Sequence, residues 1–329
     1  MEDVSNPPFR AVCKACGADM MYTEFISSEG LIRDAVKSRR KLAFGEAERP
    51  IGIQIFGGDE EAMGMSAAIA ETVHPDLVDI NFGCPVKKVV VKGAGAGVLK
   101  DVALMVRLTK SVVEHTQLPV TVKTRLGWDE DSKNIEEVAE RLQDAGIAAL
   151  TIHGRTRSQM YRGEADWTLI GKVKNNPRMH IPIFGNGDIS SPEKALEYKN
   201  RYGVDGIMIG RAAIGYPWIF NEIKHFLKTG EHLPLPTVQQ RVAVIRRHLQ
   251  GSLAWKGAVT GILEMRKHYA NYLKGFPNIK EFRNRLVRLT TYEEIDEVLT
   301  EVEKRYDGFT AEKNLWTFAE GAPHCESAK

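Results

Sequence analysis

Residues 79–100 read DINFGCPVKKVVVKGAGAGVLK. A short apolar segment, 77–80, runs into Asn81, and a single cysteine, Cys84, is held between Gly83 and Pro85. A basic, glycine-rich stretch follows, with Lys87, Lys88 and Lys92 and then Gly93, Gly95 and Gly97, and it reads as a loop. A cysteine at the C-terminal end of a strand, beneath a loop able to move over it, is where α/β barrels place chemistry. The competing reading is a small buried residue in a turn, a common fate of a cysteine without a disulfide partner.

Outward from this stretch, short β-rich segments alternate with longer amphipathic ones. Strands are predicted over 20–26, 51–56, 77–81, 120–123, 149–153, 181–185 and 206–209, and helices over 60–73, 103–115, 134–145 and 192–201. Such alternation implies parallel strands with helical crossovers. Several strands end in polar or glycine-rich residues: QIFGG, NFGCP, KTRLG, HGRTR, GNGDI and IGRAA. Functional residue types gathered at strand C-termini point to a (β/α)8 TIM barrel rather than a doubly wound sheet. No G-x-G-x-x-G follows a strand, and GAGAG at 93–97 has the wrong spacing for a dinucleotide fingerprint. Only seven strands are found, and MEDVSNPPFR opens the chain as a loop leading into a helix. The expectation is that the first barrel strand precedes Met1, through truncation or a start codon assigned inside the gene, or else that the barrel is open on one side.

Composition narrows the function classes. At 329 residues the chain can hold one large domain and a small one, and 43% hydrophobic content is ordinary for a globular protein. A net charge of +2 means that any nucleic-acid surface is local. Four cysteines without framework spacing argue against a disulfide scaffold and for a reducing cytoplasm. Cys13 and Cys16 form C-x-x-C, but no second pair completes a zinc site and the spacing suits one face of a helix. No metal is expected. There is no run of about 18 apolar residues and no signal-like segment, so no membrane association is expected.

Beyond Tyr216-Pro217-Trp218 the pattern changes. A proline-rich linker at 232–237 starts a helical region over 238–305, and 307–329 read as a polar tail without fixed structure. The division expected is a barrel over 1–233, a small all-α domain over 234–306 and the tail over 307–329. Between Arg241 and Arg288 lie seven arginines and four lysines against Glu264 and Glu281, interleaved with Tyr269, Tyr272 and Phe276. Charge runs are usually solvated helix faces, but an excess this segregated reads as a phosphate-backbone footprint.

Two glycine-bearing turns, Gly185-Asn186-Gly187-Asp188 and Ile209-Gly210-Arg211, close the barrel. Loops after the last two strands of such barrels commonly bind phosphate through backbone N–H groups, and FMN is a phosphorylated cofactor of that kind. Lys123 and Arg125 alternate on one strand and share a face. A lysine facing the barrel mouth can stabilise an anionic reduced isoalloxazine. His153, in HGRTRSQMYRG, is either a satisfied core residue or part of the same site.

Together these residues resemble the tRNA-dihydrouridine synthase family, nearest its bacterial B-type branch. The likeness runs through MEDVSNPPFR, YTEFISSEGL, DINFGCPVKKV, GAGAGVLKD, VKTRLGWD, HGRTRSQMYRGEADW, PIFGNGDI, IGRAAIGYPWIF and RKHYANYLKGFP, nearly the whole chain apart from the tail. In the family an apolar strand ending Ala-Pro precedes the opening motif, and here the chain begins at that methionine. The resemblance implies an enzyme that reduces the 5,6 double bond of uridines in tRNA. NADPH would reduce FMN, hydride would pass from flavin N5 to C6 of uracil, and Cys84 would donate the proton to C5. By family position, Met1, Gln54, Lys123, His153, Asn186, Gly187, Asp188, Gly210 and Arg211 would hold FMN. Asn81, Arg125 and Tyr161 would face the uracil, and Arg266, Lys267, Arg283 and Arg288 would contact the RNA. A cytoplasmic monomer is expected. Two rivals stand beside this reading. A dihydroorotate-dehydrogenase-like flavin enzyme would need no basic helical appendage. An RNA-binding module on a catalytically dead barrel would bind tRNA without carrying flavin.

Overall fold

Alternation along the strand segments resolves into a single parallel sheet in a computed structural model that describes residues 1–309. Its strands are β1 (Met21–Tyr22), β2 (Ile26–Ser27), β3 (Ile51–Phe56), β4 (Leu77–Asn81), β5 (Val120–Arg125), β6 (Ala149–His153), β7 (Ile183–Asn186) and β8 (Gly206–Met208). They pair in the order β1-β3-β4-β5-β6-β7-β8, with β2 also on β3. The sheet curls in TIM-barrel fashion, with helices Glu60–Glu71, Val102–Glu114, Ile135–Asp144, Thr168–Lys174 and Pro192–Tyr202 between successive strands. Among the described residues no strand joins β8 to β1, and every residue of β8 is half-exposed.

Parallel sheets covered on one face by helices should carry aliphatic residues at alternate positions. Ile53, Ile55, Val78, Ile80, Val122, Leu150 and Ile152 are fully buried and share one core with Met63, Ala67, Leu108, Val112, Val138 and Leu142 of the helices. The opposite positions are polar, and register stacks them into layers. Gln54 pairs with Asp79 and Asp79 with Thr121; Asn81 pairs with Lys123 and Lys123 with Thr151; Arg125 pairs with His153 and His153 with Asn186. A barrel interior is ordinarily filled with branched aliphatics. This one is lined by hydrogen-bonding groups towards its C-terminal end.

Two sequence expectations change here. The first predicted strand, over 20–26, is broken into β1 and β2. Thr23 N–H donates to Gly52 O at 3.0 Å and its Oγ1 accepts from Gln54 N–H at 3.1 Å, so a side chain takes the place of a backbone rung. The stretch after Cys84 is only partly loop. Lys87–Val90 form one helical turn and Gly95–Lys100 a 3-10 helix.

The C-terminal region is helical, over Val238–Lys256, Ala258–Tyr272, Lys280–Leu286 and Tyr292–Arg305, with a second hydrophobic core. It docks on the first helix, Pro7–Ala15. Phe9 stacks on His268 at 5.7 Å, and Asn6 Nδ2 donates to Glu264 at 3.2 Å. Tyr269, Tyr272 and Phe276, read from the sequence as aromatics interleaved with surface charge, belong to this core and are buried. No described helix is long and apolar enough to cross a membrane. From residue 310 onward, the tail expected over 307–329 lies outside the described residues.

Candidate active site

Cys84 follows β4 and is 7% exposed. It clusters with Val89 and Ala94, and Phe25, Phe56 and Val86 pack around them. The loop is tied from both sides. Asn81 Oδ1 accepts from Cys84 N–H at 2.8 Å and Gly83 N–H at 3.0 Å, while Arg125 Nε donates to Gly83 O at 2.7 Å. Ala96 N–H donates to Cys84 O at 3.0 Å. Gly95 has φ +54, and a Cβ there would lie 3.0 Å from Cys84 O and 3.2 Å from Cys84 Cβ, so glycine permits this close approach. Burial pushes the Cys84 thiol above its ordinary pKa, against the opposing pull of Arg125 and Lys123. A thiol so placed stays protonated near neutral pH, as a proton donor must.

The polar layers form the floor beside it. Lys123 is half-buried, and its ammonium has no hydrogen-bond or ion-pair partner among the described residues. Burial, and then the neighbouring Arg125, lower its pKa to about 8. His153 is 6% exposed and held well below its usual range, first by burial and then by Arg125, Lys123, Arg155 and Arg211. It is therefore a neutral imidazole. Among the described residues four cations surround this point, two of them held by the Asp188 carboxylate, which Arg155 binds through both terminal nitrogens at 3.0 and 2.6 Å and Arg211 at 3.0 Å. Burial raises the Asp188 carboxyl, but the hydrogen bonds from Arg155 and Ala165 N–H outweigh it and the net shift is downward.

The sequence-predicted residues divide as follows. Gln54, Asn81, Cys84, Lys123, Arg125, His153 and Asn186 come together across adjacent strands. Gly187 has φ +125 and lies against His153, where a Cβ would fall 3.1 Å from the ring; Gly210 is open apart from Met1 Sδ, 3.8 Å from where its Cβ would be. Tyr161 is exposed at the rim, with the Arg211 and Arg125 guanidiniums 5.0 and 5.8 Å from its ring centre. Arg125 is more a brace than a free contact, since Nη1 also donates to Thr156 O and Met160 O. Asp188 likewise buttresses Arg155 and Arg211. In the helical region Arg283 and Lys280 line a groove of about 520 Å³ with Asn278 and Asn284, and Arg288 is exposed. Arg266 reaches Leu289 O at 3.5 Å and Lys267 donates to Asp3 O.

Two site residues escaped the sequence reading, although both lay in quoted motifs. Asp79 is fully buried under Gln54 and Thr121, and Arg155 is 2% exposed behind His153. Their alternation with Asn81 and His153 was the available signal. Cys13 and Cys16 are buried at the end of the first helix, and among the described residues they gather no third metal-binding side chain.

This arrangement fits a phosphorylated flavin. The unpartnered Lys123 ammonium, the neutral His153 and the excess of cations suit a ring system that becomes anionic on reduction. The glycines at 187 and 210 leave open backbone where a phosphate could approach.

The curled parallel sheet is shared with histamine dehydrogenase from Rhizobium sp. 4-9, at a TM-score of 0.50 and 11% identity, covering 75% of this chain and 46% of that one; the likeness extends to the fold alone. The family model Dihydrouridine synthase (Dus) matches residues 1–307. The chain belongs to the dihydrouridine synthase family, a family of flavin enzymes. It is 44% identical over 286 residues to tRNA-dihydrouridine synthase B of Pseudomonas putida, covering 87% of this chain and 84% of that protein. It is 41% identical over 280 residues to the probable tRNA-dihydrouridine synthase 1 of Synechocystis, covering 85% and 78%.

Proposed function

We propose that this chain reduces the 5,6 double bond of uridines in tRNA to dihydrouridine, with FMN as cofactor and NADPH as reductant. One observation carries the reading: a buried Cys84, its thiol pushed above its ordinary pKa by burial, stands beside a cationic polar floor at the C-terminal end of a curled parallel sheet. When bound, FMN supplies the hydride that adds to C6 of the uracil.

The chain's own residues do the rest. Lys123, His153, Gln54 and Asn186 would hold the flavin ring, and Gly187, Gly210 and Arg211 its phosphate. Met1, against Gly210, would flank the phosphate, and Asp188 would hold Arg211 in place. Asn81 would meet the uracil, with Arg125 bracing the Cys84 loop and Tyr161 at the rim. Cys84 Sγ–H gives its proton to C5 as the C5–C6 bond becomes single, and the thiolate recovers a proton from solvent. Val89 and Ala94 keep water from the thiol, so the helical turn Lys87–Val90 must lift for the base to enter. The target base would be flipped out of the RNA, because its double bond is unreachable within a folded tRNA.

Residues 1–233 would hold the flavin and the chemistry, and 234–306 would grip the RNA. The helical cations suited to phosphate are Lys280 and Arg283 in the groove and the exposed Arg288, together with Arg266 and Lys267.

Purified protein with FMN, NADPH and unmodified tRNA should yield dihydrouridine, read by mass spectrometry of nuclease digests, and omission of FMN should abolish it. Reduction of free uridine or of a free pyrimidine acid in place of tRNA would overturn the proposal.

A further inference from the structure

The buried layer beneath Cys84 forms one directed chain of hydrogen bonds. Thr121 Oγ1 donates to Asp79 Oδ1 at 2.5 Å, and Gln54 Nε2 donates to Asp79 Oδ2 at 2.6 Å. Asn81 Nδ2 donates to Gln54 Oε1 at 2.7 Å, and Asn81 Oδ1 accepts from the backbone N–H groups of Gly83 and Cys84. Asp79, Gln54, Asn81 and Thr121 are all at least nine-tenths buried, so these bonds, with the one between Thr121 and the Tyr22 phenol, set how their side chains are oriented.

A side-chain amide can point either way, but an ionised carboxylate only accepts. With Asp79 as acceptor, Gln54 must present its nitrogen downward and its oxygen to Asn81. Asn81 must then donate to Gln54, which leaves its oxygen for the Cys84 loop. We propose that Asp79 is a positioning residue: its carboxylate sets the direction of the Gln54 and Asn81 amides and so fixes the loop that carries Cys84. Were the chain reversed, Asn81 would set an NH2 against two backbone N–H groups, donor facing donor. The inference rests on the reading of Cys84 as proton donor, though the geometry it tests stands apart from turnover.

The relay is also set to respond to pH. Burial pushes the Asp79 carboxyl up to about 7, with the hydrogen bonds from Thr121 and Gln54 and the charge of Lys123 opposing. The charged or titratable groups facing it are Lys123 from β5 and Tyr22 from β1, whose phenol is raised by burial and then by Asp79. Protonated, Asp79 gains a donor and no longer dictates the direction of Gln54.

The test is amide hydrogen exchange at single residues in the purified, flavin-loaded protein at pH 8. Asp79→Leu removes the acceptor and should speed exchange at Gly83 and Cys84 by about tenfold, while Val78 and Ile80 in β4 stay unchanged. Asp79→Asn offers both a donor and an acceptor and should give a smaller rise. Thr121→Val keeps the carboxylate and should match the unsubstituted protein. The ratio of the Asp79→Asn rate to the unsubstituted rate should shrink as pH falls from 8 to 6. With tRNA as substrate, Asp79→Asn should lower kcat and leave KM unchanged. Unaltered exchange at Gly83 and Cys84 in the Asp79 variants would overturn the proposal, as would Thr121→Val matching Asp79→Asn, or a pH-independent ratio. If Asp79→Leu does not fold, the comparison of Asp79→Asn with Thr121→Val decides. Absence of dihydrouridine with the unsubstituted enzyme would instead sink the functional reading, and the exchange data would still judge the relay.

Discussion

The sheet interior and the C-terminal helices both concentrate polar and basic residues, yet they use them in opposite ways. Inside the sheet, register brings single residues from separate strands into contact. Arg125, distant in sequence from Gly83, bonds its carbonyl at 2.7 Å, and among the described residues the Lys123 ammonium has no hydrogen-bond or ion-pair partner. In the helices much of the charge is consumed internally. Arg246 binds Asp296 and Glu303, Arg285 binds Glu301, Lys256 binds Glu264, and Arg241 is buried under backbone carbonyls. The helix Tyr292–Arg305 carries six acidic residues that offset the basic helices before it. Strand register turns composition into a site, whereas local charge counts overstate a surface until the partners are known.

The contrast can be broken at either end. Lys123→Met removes the unpartnered ammonium and should weaken FMN binding by about ten- to a hundredfold, the worth of a hydrogen bond to a charged group, as read by fluorescence titration. Unchanged FMN affinity would mean that the interior cation is structural. Arg283→Ala and Arg288→Ala should each weaken tRNA binding several-fold and reduce the salt slope of the affinity by about one, with flavin content untouched. Arg246→Ala and Arg285→Ala should lower the melting temperature slightly and leave tRNA affinity alone, because their charge already has partners. Equal losses of tRNA affinity in all four would erase the distinction drawn between paired and outward cations.

The smallest expected effect concerns Asp79 and stability. An ordinary aspartate titrates near 4, and this one is raised to about 7 by burial. Between those values the folded protein holds a proton that the unfolded chain has released, so ionising Asp79 costs stability as pH rises through that window. The melting temperature of Asp79→Asn relative to the unsubstituted protein should therefore improve from pH 5 to pH 8. A difference that ran the other way would show that the carboxylate is not strained by burial.

Much of the fold was legible because strand–helix alternation is a local signal, and the seven strand positions fall where the apolar segments placed them. The ends shifted where side chains replaced backbone rungs, as Thr23 does between β1 and β2. Cys84, Lys123 and His153 stood out because they lie in the NFGCP, KTRLG and HGRTR motifs that close successive strands, although each alone also fits an ordinary turn, surface or core residue. Asp79 did not, although it lies in the same quoted stretch. Its meaning depends on Gln54 and Thr121, partners on neighbouring strands that no local pattern reveals. Tyr269, Tyr272 and Phe276 misled for the same reason, since their helical spacing fits a core as well as a stacking surface, and only the packing of the four helices decides between them.

The central claim, that Cys84 delivers the proton to the uracil, is tested most directly in a single turnover. Enzyme whose flavin has been reduced beforehand is mixed with unmodified tRNA without oxygen, and flavin reoxidation and dihydrouridine are followed together. Cys84→Ala should keep FMN and tRNA binding and slow both signals by about 10²- to 10⁴-fold, the usual contribution of a general acid. Reoxidation and dihydrouridine formation at the unsubstituted rate in Cys84→Ala would contradict the account.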